Sequence, residues 1–189
     1  MEKSFLTYIQ SYCNSRISSE DVRLLELTFK SKKLRRKQCF LREGEVCKYS
    51  AFILKGAMRQ YTVDDNGVEH MVHLSIENCW VVDAESWVMC TPSNFYIDAW
   101  EDTELLLITR AEAVTLVNDC PAFTEMRRQL DERNHIATQK RINSSISYSA
   151  EKRYIDFANR HPDILQRFPQ HLIASYLGIT KDTLSRVRK

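Results

Sequence analysis

Residues 170–189, QHLIASYLGITKDTLSRVRK, constrain the fold more than any other stretch of the chain. Leu172, Ile173, Ala174 and Leu177 fall on one face of a short amphipathic helix. Gly178 follows, the residue type best suited to a sharp left-handed helix exit. Ile179 continues the apolar line, and Thr180 offers a side-chain oxygen to cap a second helix. Ala174 lies where that second helix would cross, and its small side chain permits close approach. Leu184 and Val187 are spaced to bury the second helix against the first.

The second helix has two faces. At about 100° per residue, placing Lys181 at ~0° puts Ser185 at ~40°, Lys189 at ~80°, Asp182 at ~100° and Arg186 at ~140°. Thr183, Leu184 and Val187 fall at roughly 200–300° and pack. The free face is polar and mainly basic. Arg and Lys can bond guanine O6 and N7, and a carboxylate can accept from cytosine N4. Arg188 sits at the border, where phosphate is the expected contact. A terminal helix with a merely solvated charged face shares this polarity. The small residue, the glycine turn, the cap and the buried positions together point instead to a helix that enters a DNA groove. Charge distribution agrees: residues 147–189 hold eight basic and four acidic residues, and the remainder holds 19 basic against 21 acidic.

At 189 residues the chain suffices for one large domain or two small ones. Its first ~30 residues read as helical, with Ser18 or Ser19 capping ahead of Glu20 and Asp21. From about Lys32 to Ile108, short apolar runs alternate with turn signals. Asp65-Asn66-Gly67 marks a hairpin, because Asn and Gly tolerate positive φ. Beyond it, strict alternation predicts Val68, His70, Val72, Leu74 and Ile76 on one strand face and Glu69, Met71, His73 and Ser75 on the other. Several such strands imply a closed or rolled β-structure. Helical texture returns at Ala111, and Pro121 fits the first turn of a long helix. There Phe123, Met126, Leu130, Asn134, Ala137 and Arg141 recur at intervals of three and four, a narrow stripe suited to pairing with another helix. Residues 145–149 read as a boundary, followed by an amphipathic helix carrying Tyr154, Ile155, Phe157 and Ala158. The six cysteines, Cys13, Cys39, Cys47, Cys79, Cys90 and Cys120, show no metal-ligand spacing and read as free thiols in a reducing compartment. No apolar run approaches the ~18 residues of a membrane span, and residues 1–13 lack secretory-signal patterning, so a cytoplasmic protein is expected.

Ile173-Ala174, Leu177-Gly178-Ile179-Thr180 and Lys181-Asp182-Thr183-Leu184-Ser185-Arg186 resemble the helix-turn-helix of the Crp/Fnr family of bacterial transcription regulators. The resemblance extends in order along the whole chain, with Phe52-Ile53-Leu54-Lys55-Gly56 similar to an early strand and turn of that family's roll. It implies an α+β fold: an N-terminal double-stranded β-roll of the cyclic-nucleotide-binding type (residues 1–120), a dimerisation helix (121–146) and a C-terminal winged helix-turn-helix (147–189). It also implies that Phe123, Met126, Leu130, Asn134 and Ala137 form the dimer interface. Lys181, Asp182 and Arg186 match the family's base-reading positions. Lys stands for the usual Arg and Asp for the usual Glu; Lys lacks a planar fork and Asp is shorter, which shifts base preference.

The ligand region departs from the family. Nucleotide-binding members carry a Gly-Glu pair and then an Arg followed by Ser or Thr. Here Asp83 or Glu85 stands near the acid, Phe95 stands near the Arg position, and the glycine is missing. Residues 60–109 contain no Lys or Arg and ten acids. A buried phosphate needs positive charge or dense N–H donors. Cyclic AMP is therefore not expected in the family's manner, and no cofactor is expected. A pocket lined by Trp80, Asp83, Glu85, Trp87, Phe95 and Tyr96 would take an apolar or uncharged ligand, or be filled by its own side chains.

Two rival readings stand beside a DNA-binding regulator. One is a dimeric small-molecule-binding roll without DNA function. The other is a cupin-type metalloenzyme using His70, His73 and Glu77; His70 and His73 are three apart, which sends them to opposite strand faces. The expected partners of the regulator, a non-enzyme, are a second copy of the chain, a near-palindromic duplex and, for an activator, RNA polymerase. Lys181, Asp182, Ser185 and Arg186 would read bases, while Thr180, Arg188 and Lys189 would hold phosphate.

Overall fold

The structure, a computed structural model, describes residues 3–187. Two N-terminal helices, α1 (Lys3–Gln10) and α2 (Ser19–Thr28), precede a β-roll. The roll runs through β1 (Lys30–Leu34), β2 (Cys39–Leu41), β3 (Tyr49–Lys55), β4 (Met58–Val63), β5 (Glu69–Ser75), β6 (Trp80–Val81), α3 (Ala84–Met89), β7 (Tyr96–Ala99) and β8 (Thr103–Thr109). Helices complete the described chain: α4 (Arg110–Asp119), α5 (Pro121–Ser147), α6 (Ala150–Arg160), α7 (Pro162–Arg167), α8 (Gln170–Leu177) and α9 (Lys181–Val187). Among the described residues no strand follows Thr109, so the C-terminal part is helical and the wing that the resemblance implied is not found among them.

The strands form two four-stranded antiparallel sheets, ordered β1-β8-β3-β6 and β2-β7-β4-β5. Between them lies a core of Leu34, Leu41, Ile53, Met58, Ile97 and Leu105, among others. The outer face of the first sheet is also covered. Ile53 and Leu105 point into the roll, while Phe52, Leu106 and Ile108 point out, under α1, α2 and the start of α5. This explains the unbroken apolar run Leu105-Leu106-Leu107-Ile108: a strand buried on both faces has no polar side to alternate. The outer layer is aromatic, with Phe52 packed on Phe5 at 4.8 Å and on Trp80 at 5.4 Å between ring centroids.

Local signals fix the elements. Ser18 caps α2 through a capping box with Asp21, and Thr109 caps α4 through one with Glu112. Pro121 opens α5. At the β4–β5 turn Asp64 accepts the Asn66 and Val68 amides, and Gly67 sits at φ 78°. Gly56 has no alternative: a Cβ there would lie 2.5 Å from the Asp102 carbonyl oxygen.

Two expectations need correction. The β4–β5 register shifts, pairing Gln60 with His73 but Tyr61 with Met71. Val72 is therefore an extra residue, a bulge that breaks strict alternation. Met71 and Leu74, assigned to opposite faces by period two, are both buried on the outside of the second sheet. The α5 stripe also has another use. Phe123, Met126 and Leu130 are 1%, 0% and 9% exposed, packed within this chain against the core that holds Phe5, Ile9 and Phe29. They are thus covered without a second copy, while Asn134 and Ala137 remain exposed further along. The free side of α5 lies about 160° round the helix. There Arg128, Glu132, His135, Gln139, Ile142 and Ile146 follow one another at alternating spacings of four and three, and all are exposed.

A third core joins the helical end to the roll. Ala57, between β3 and β4, and Met71 and Leu74 of the second sheet pack with Phe157, Ile164, Phe168, Leu172, Ile173, Ala174 and Leu184.

Candidate nucleic-acid interface

Helices α8 and α9 carry the candidate site. Leu172, Ile173 and Ala174 are all within 2% of full burial, so α8 is anchored along its apolar face. Gly178 adopts φ 63°, ψ 39°; its N–H bonds the Ser175 carbonyl at 3.1 Å, and Ile179 N–H bonds the Ala174 carbonyl at 3.0 Å. This is a Schellman termination, and it needs the left-handed residue that only Gly adopts without strain. Thr180 Oγ1 then accepts the Thr183 amide at 3.1 Å and starts α9. Leu184, 1% exposed, pins α9 to the third core.

That anchoring leaves Lys181, Asp182, Ser185 and Arg186 exposed together, with Thr180 exposed at the helix start. Arg186 touches its own helix only loosely, Nε to the Asp182 carbonyl at 3.4 Å and Nη2 to Thr183 Oγ1 at 3.5 Å. Its guanidinium can therefore reorient toward a ligand at little cost. Arg188 and Lys189 lie outside the described residues. Beside Lys181, a cleft of about 380 Å³ opens between the β4–β5 hairpin (Val68, Glu69, His70) and α8 (His171, Ser175).

The six residues assigned to a roll pocket do not converge. Trp80 pairs with Phe52 on β3 and points out of the roll into the aromatic layer. Tyr96 stacks on Tyr61 at 5.4 Å; it shares its strand face with Asp98, which bonds Arg59 outside the second sheet. Trp80 and Tyr96 thus lie on opposite outer surfaces. Asp83 is buried as the N-cap of α3, accepting the Ser86 amide at 3.3 Å. Glu85 is exposed on the first turn of α3, Phe95 is half-buried, and Trp87 is shared between the roll interior and the aromatic layer. The pocket expectation is corrected accordingly: alternation and capping send these side chains to separate tasks.

Five of the ten acids of residues 60–109 meet cations from outside that stretch. Arg59 binds Asp98 (2.9 Å) and Glu69 (2.5 Å). Arg167, from α7, binds Glu77 (2.8 Å) and Glu101 (2.5 Å). Lys33 meets Glu104 at 2.8 Å. Burial alone raises the Glu77 pKa, but Arg167 and the Gly56 amide outweigh it and hold the carboxyl below its ordinary value. Sequence reasoning missed Arg59, Arg153 and Arg167, and placed Arg141 on the α5 stripe without its bond to the Val72 carbonyl. For Arg59 and Arg167 the signal was the excess of acids in residues 60–109; Arg141 and Arg153 bond backbone carbonyls, for which the sequence carries no signal. Arg153 bonds the carbonyls of Ser145, Tyr148 and Gly178, tying α6 to the end of α5 and to the turn between α8 and α9.

Among the described residues no group of three or more His, Cys, Asp or Glu is arranged to hold a metal. His70 is engaged by Asp64 at 2.9 Å. The six cysteines are free, and burial pushes the Cys120 thiol up to about 12. No helix among the described residues is long and apolar enough to cross a membrane.

No family model and no curated relative matches the sequence. Solved structures do match the fold. FixK2 from Bradyrhizobium japonicum superposes with a TM-score of 0.71 at 16% identity, over 85% of this chain and 82% of that one. A CooA variant from Carboxydothermus hydrogenoformans gives 0.68 at 18% identity, over 93% and 79%. A transcriptional regulator of the crp/fnr family from Eubacterium rectale gives 0.65 at 16%, over 94% and 85%. The fold is that of the Crp/Fnr regulators. Within the Crp/Fnr fold, the roll, the long helix α5 and the terminal helix pair follow in the order that the sequence implied.

Proposed function

We propose that the chain is a sequence-specific DNA-binding transcription regulator that acts as a homodimer. The observation that carries this reading is α9: buried through Leu184 and exposing Lys181, Asp182, Ser185 and Arg186 on one side. In this reading those four side chains meet base edges, and Thr180 with Arg188 and Lys189 holds phosphate. The two copies pair along the free seam of α5, with Ile142 and Ile146 as its apolar members and Arg128 and Glu132 at its polar end. The two copies of α9 then enter successive major grooves of a near-palindromic site. Residues 1–120, 121–146 and 147–189 divide the labour as sensor-type roll, pairing helix and reading domain. Residues 60–109 supply no Lys or Arg to hold a phosphate, which supports a regulator that does not take cyclic AMP in the family's usual mode. A cytoplasmic location and, for an activator, contact with RNA polymerase complete the reading.

Equilibrium binding to a mixed-sequence duplex over a range of salt tests the DNA partner. Log K should fall linearly with log[salt], at about −0.9 per neutralised phosphate. Replacing both Lys181 and Arg186 with Ala should weaken binding. No binding at ~50 mM salt, where phosphate contacts are strong, would refute the proposal.

A further inference from the structure

β5 is an edge strand, the last in the order β2-β7-β4-β5. An open edge presents unpaired N–H and C=O groups that a folded protein must cover. Here three backbone groups of β5, on Glu69, Met71 and Val72, are met by the C-terminal helices. The Met71 amide donates to Ser175 Oγ at 2.9 Å, and that hydroxyl donates to the Glu69 carbonyl at 3.4 Å. The Val72 carbonyl, turned outward by the bulge, accepts from Arg141 Nη1 at 2.7 Å. Arg141 also lies over the Tyr176 ring at 4.4 Å, so one guanidinium joins α5, β5 and α8. Below this edge Met71 and Leu74 are buried under α8, and Trp100 Nε1 donates to the Arg167 carbonyl at 3.2 Å. The Arg167 side chain closes the seam on two carboxylates, Glu77 and Glu101.

We propose that the helix-turn-helix is a built-in cover for the open edge of the roll, latched by Arg167, so that the roll orients the reading helix without any bound ligand. Covering the edge occupies the Ser175 side of α8 and leaves Lys181, Asp182, Ser185 and Arg186 exposed. The docked state is therefore the state able to read DNA, and releasing the latch disorients the reading head. The consequence for DNA rests on the function proposed above; the docking itself does not.

Amide hydrogen exchange followed by NMR on the full-length, ligand-free protein tests this. The Met71 amide and the Trp100 indole N–H report the seam, and the Leu106 amide, on β8 between β1 and β3, serves as the control. The wild type should protect Met71 and Trp100. Arg167→Gln should speed their exchange about tenfold while Leu106 is unchanged, and Glu77→Gln should move them in the same direction. Binding to a duplex selected by the wild type should weaken in step. Unprotected Met71 in the wild type overturns the proposal. So does an Arg167→Gln variant whose Met71 and Leu106 amides change equally, because that reports global destabilisation. Protection that responds as expected in a protein that binds no duplex upholds the latch and refutes the DNA-reading function instead.

Discussion

Replacing Arg186 with Ala removes the longest described side chain on the exposed face of α9. Among the described residues that side chain makes two long hydrogen bonds, at 3.4 and 3.5 Å, both within its own helix. Its loss should therefore change stability by no more than about 0.5 kcal/mol, the usual range for a surface position. On DNA the same side chain has room to form a bidentate pair with guanine, worth about 1–3 kcal/mol of discrimination. A symmetric dimer loses it twice, about 2–6 kcal/mol, or roughly 30-fold to 10⁴-fold on a palindromic site. Binding to an unrelated duplex should fall far less, because phosphate contacts dominate there. Fluorescence anisotropy at ~0.1 M salt, with the selected and a scrambled duplex side by side, reads both numbers, and a thermal melt checks the fold. Equal weakening on the two duplexes would refute the base-reading role of Arg186. A large fall in Tm would refute the claim that its contacts are dispensable to the fold.

Other outcomes follow from the same geometry. Ile142→Asp together with Ile146→Asp should convert a dimer to a monomer in sedimentation with little loss of helicity; a dimer that persists would place the pairing surface elsewhere. Met126→Ala, by contrast, empties a fully buried position and should cost about 2–5 kcal/mol in chemical denaturation. Cyclic AMP at millimolar concentration should leave Tm unchanged, since a ligand bound to the native state raises it by linkage. The Glu77 carboxyl titrates below the ordinary glutamate value of 4.5 in the folded protein, because Arg167 and the Gly56 amide favour its charged form. Its contribution is therefore fully present above that pH and lost as pH falls through the lower folded value. The stability gap between wild type and Glu77→Gln should close on acidification below about pH 4.5; a gap that stays constant would show that the ion pair with Arg167 contributes nothing.

Signals confined to a few neighbouring residues were legible in the sequence. The Gly178 turn, the Thr180 cap, Pro121 and the Asp65-Asn66-Gly67 hairpin each act over a few positions, and each appears in the structure. What failed depended on contacts distant in sequence. The stripe Phe123-Met126-Leu130 was visible as apolar, but periodicity cannot say whether α1 and α2 or a second copy covers it. The bulge at Val72 carries no residue-type signal, yet it turns Met71 and Leu74 to the same side. Trp80 and Tyr96 are near one another in sequence, but the two sheets carry them to opposite outer faces. The acids of residues 60–109 were visible, but not that Arg59 and Arg167, from outside that stretch, would bind Glu69, Asp98, Glu77 and Glu101.

Selection from a random duplex pool by the purified, ligand-free protein at ~0.1 M salt tests the central claim most directly. Two copies of α9 held by a symmetric dimer should enrich an inverted repeat, its half-sites centred about one helical turn, ~34 Å, apart. A pool that stays random in sequence after repeated rounds would contradict the account: α9, exposed and anchored as it is, would then not be reading DNA.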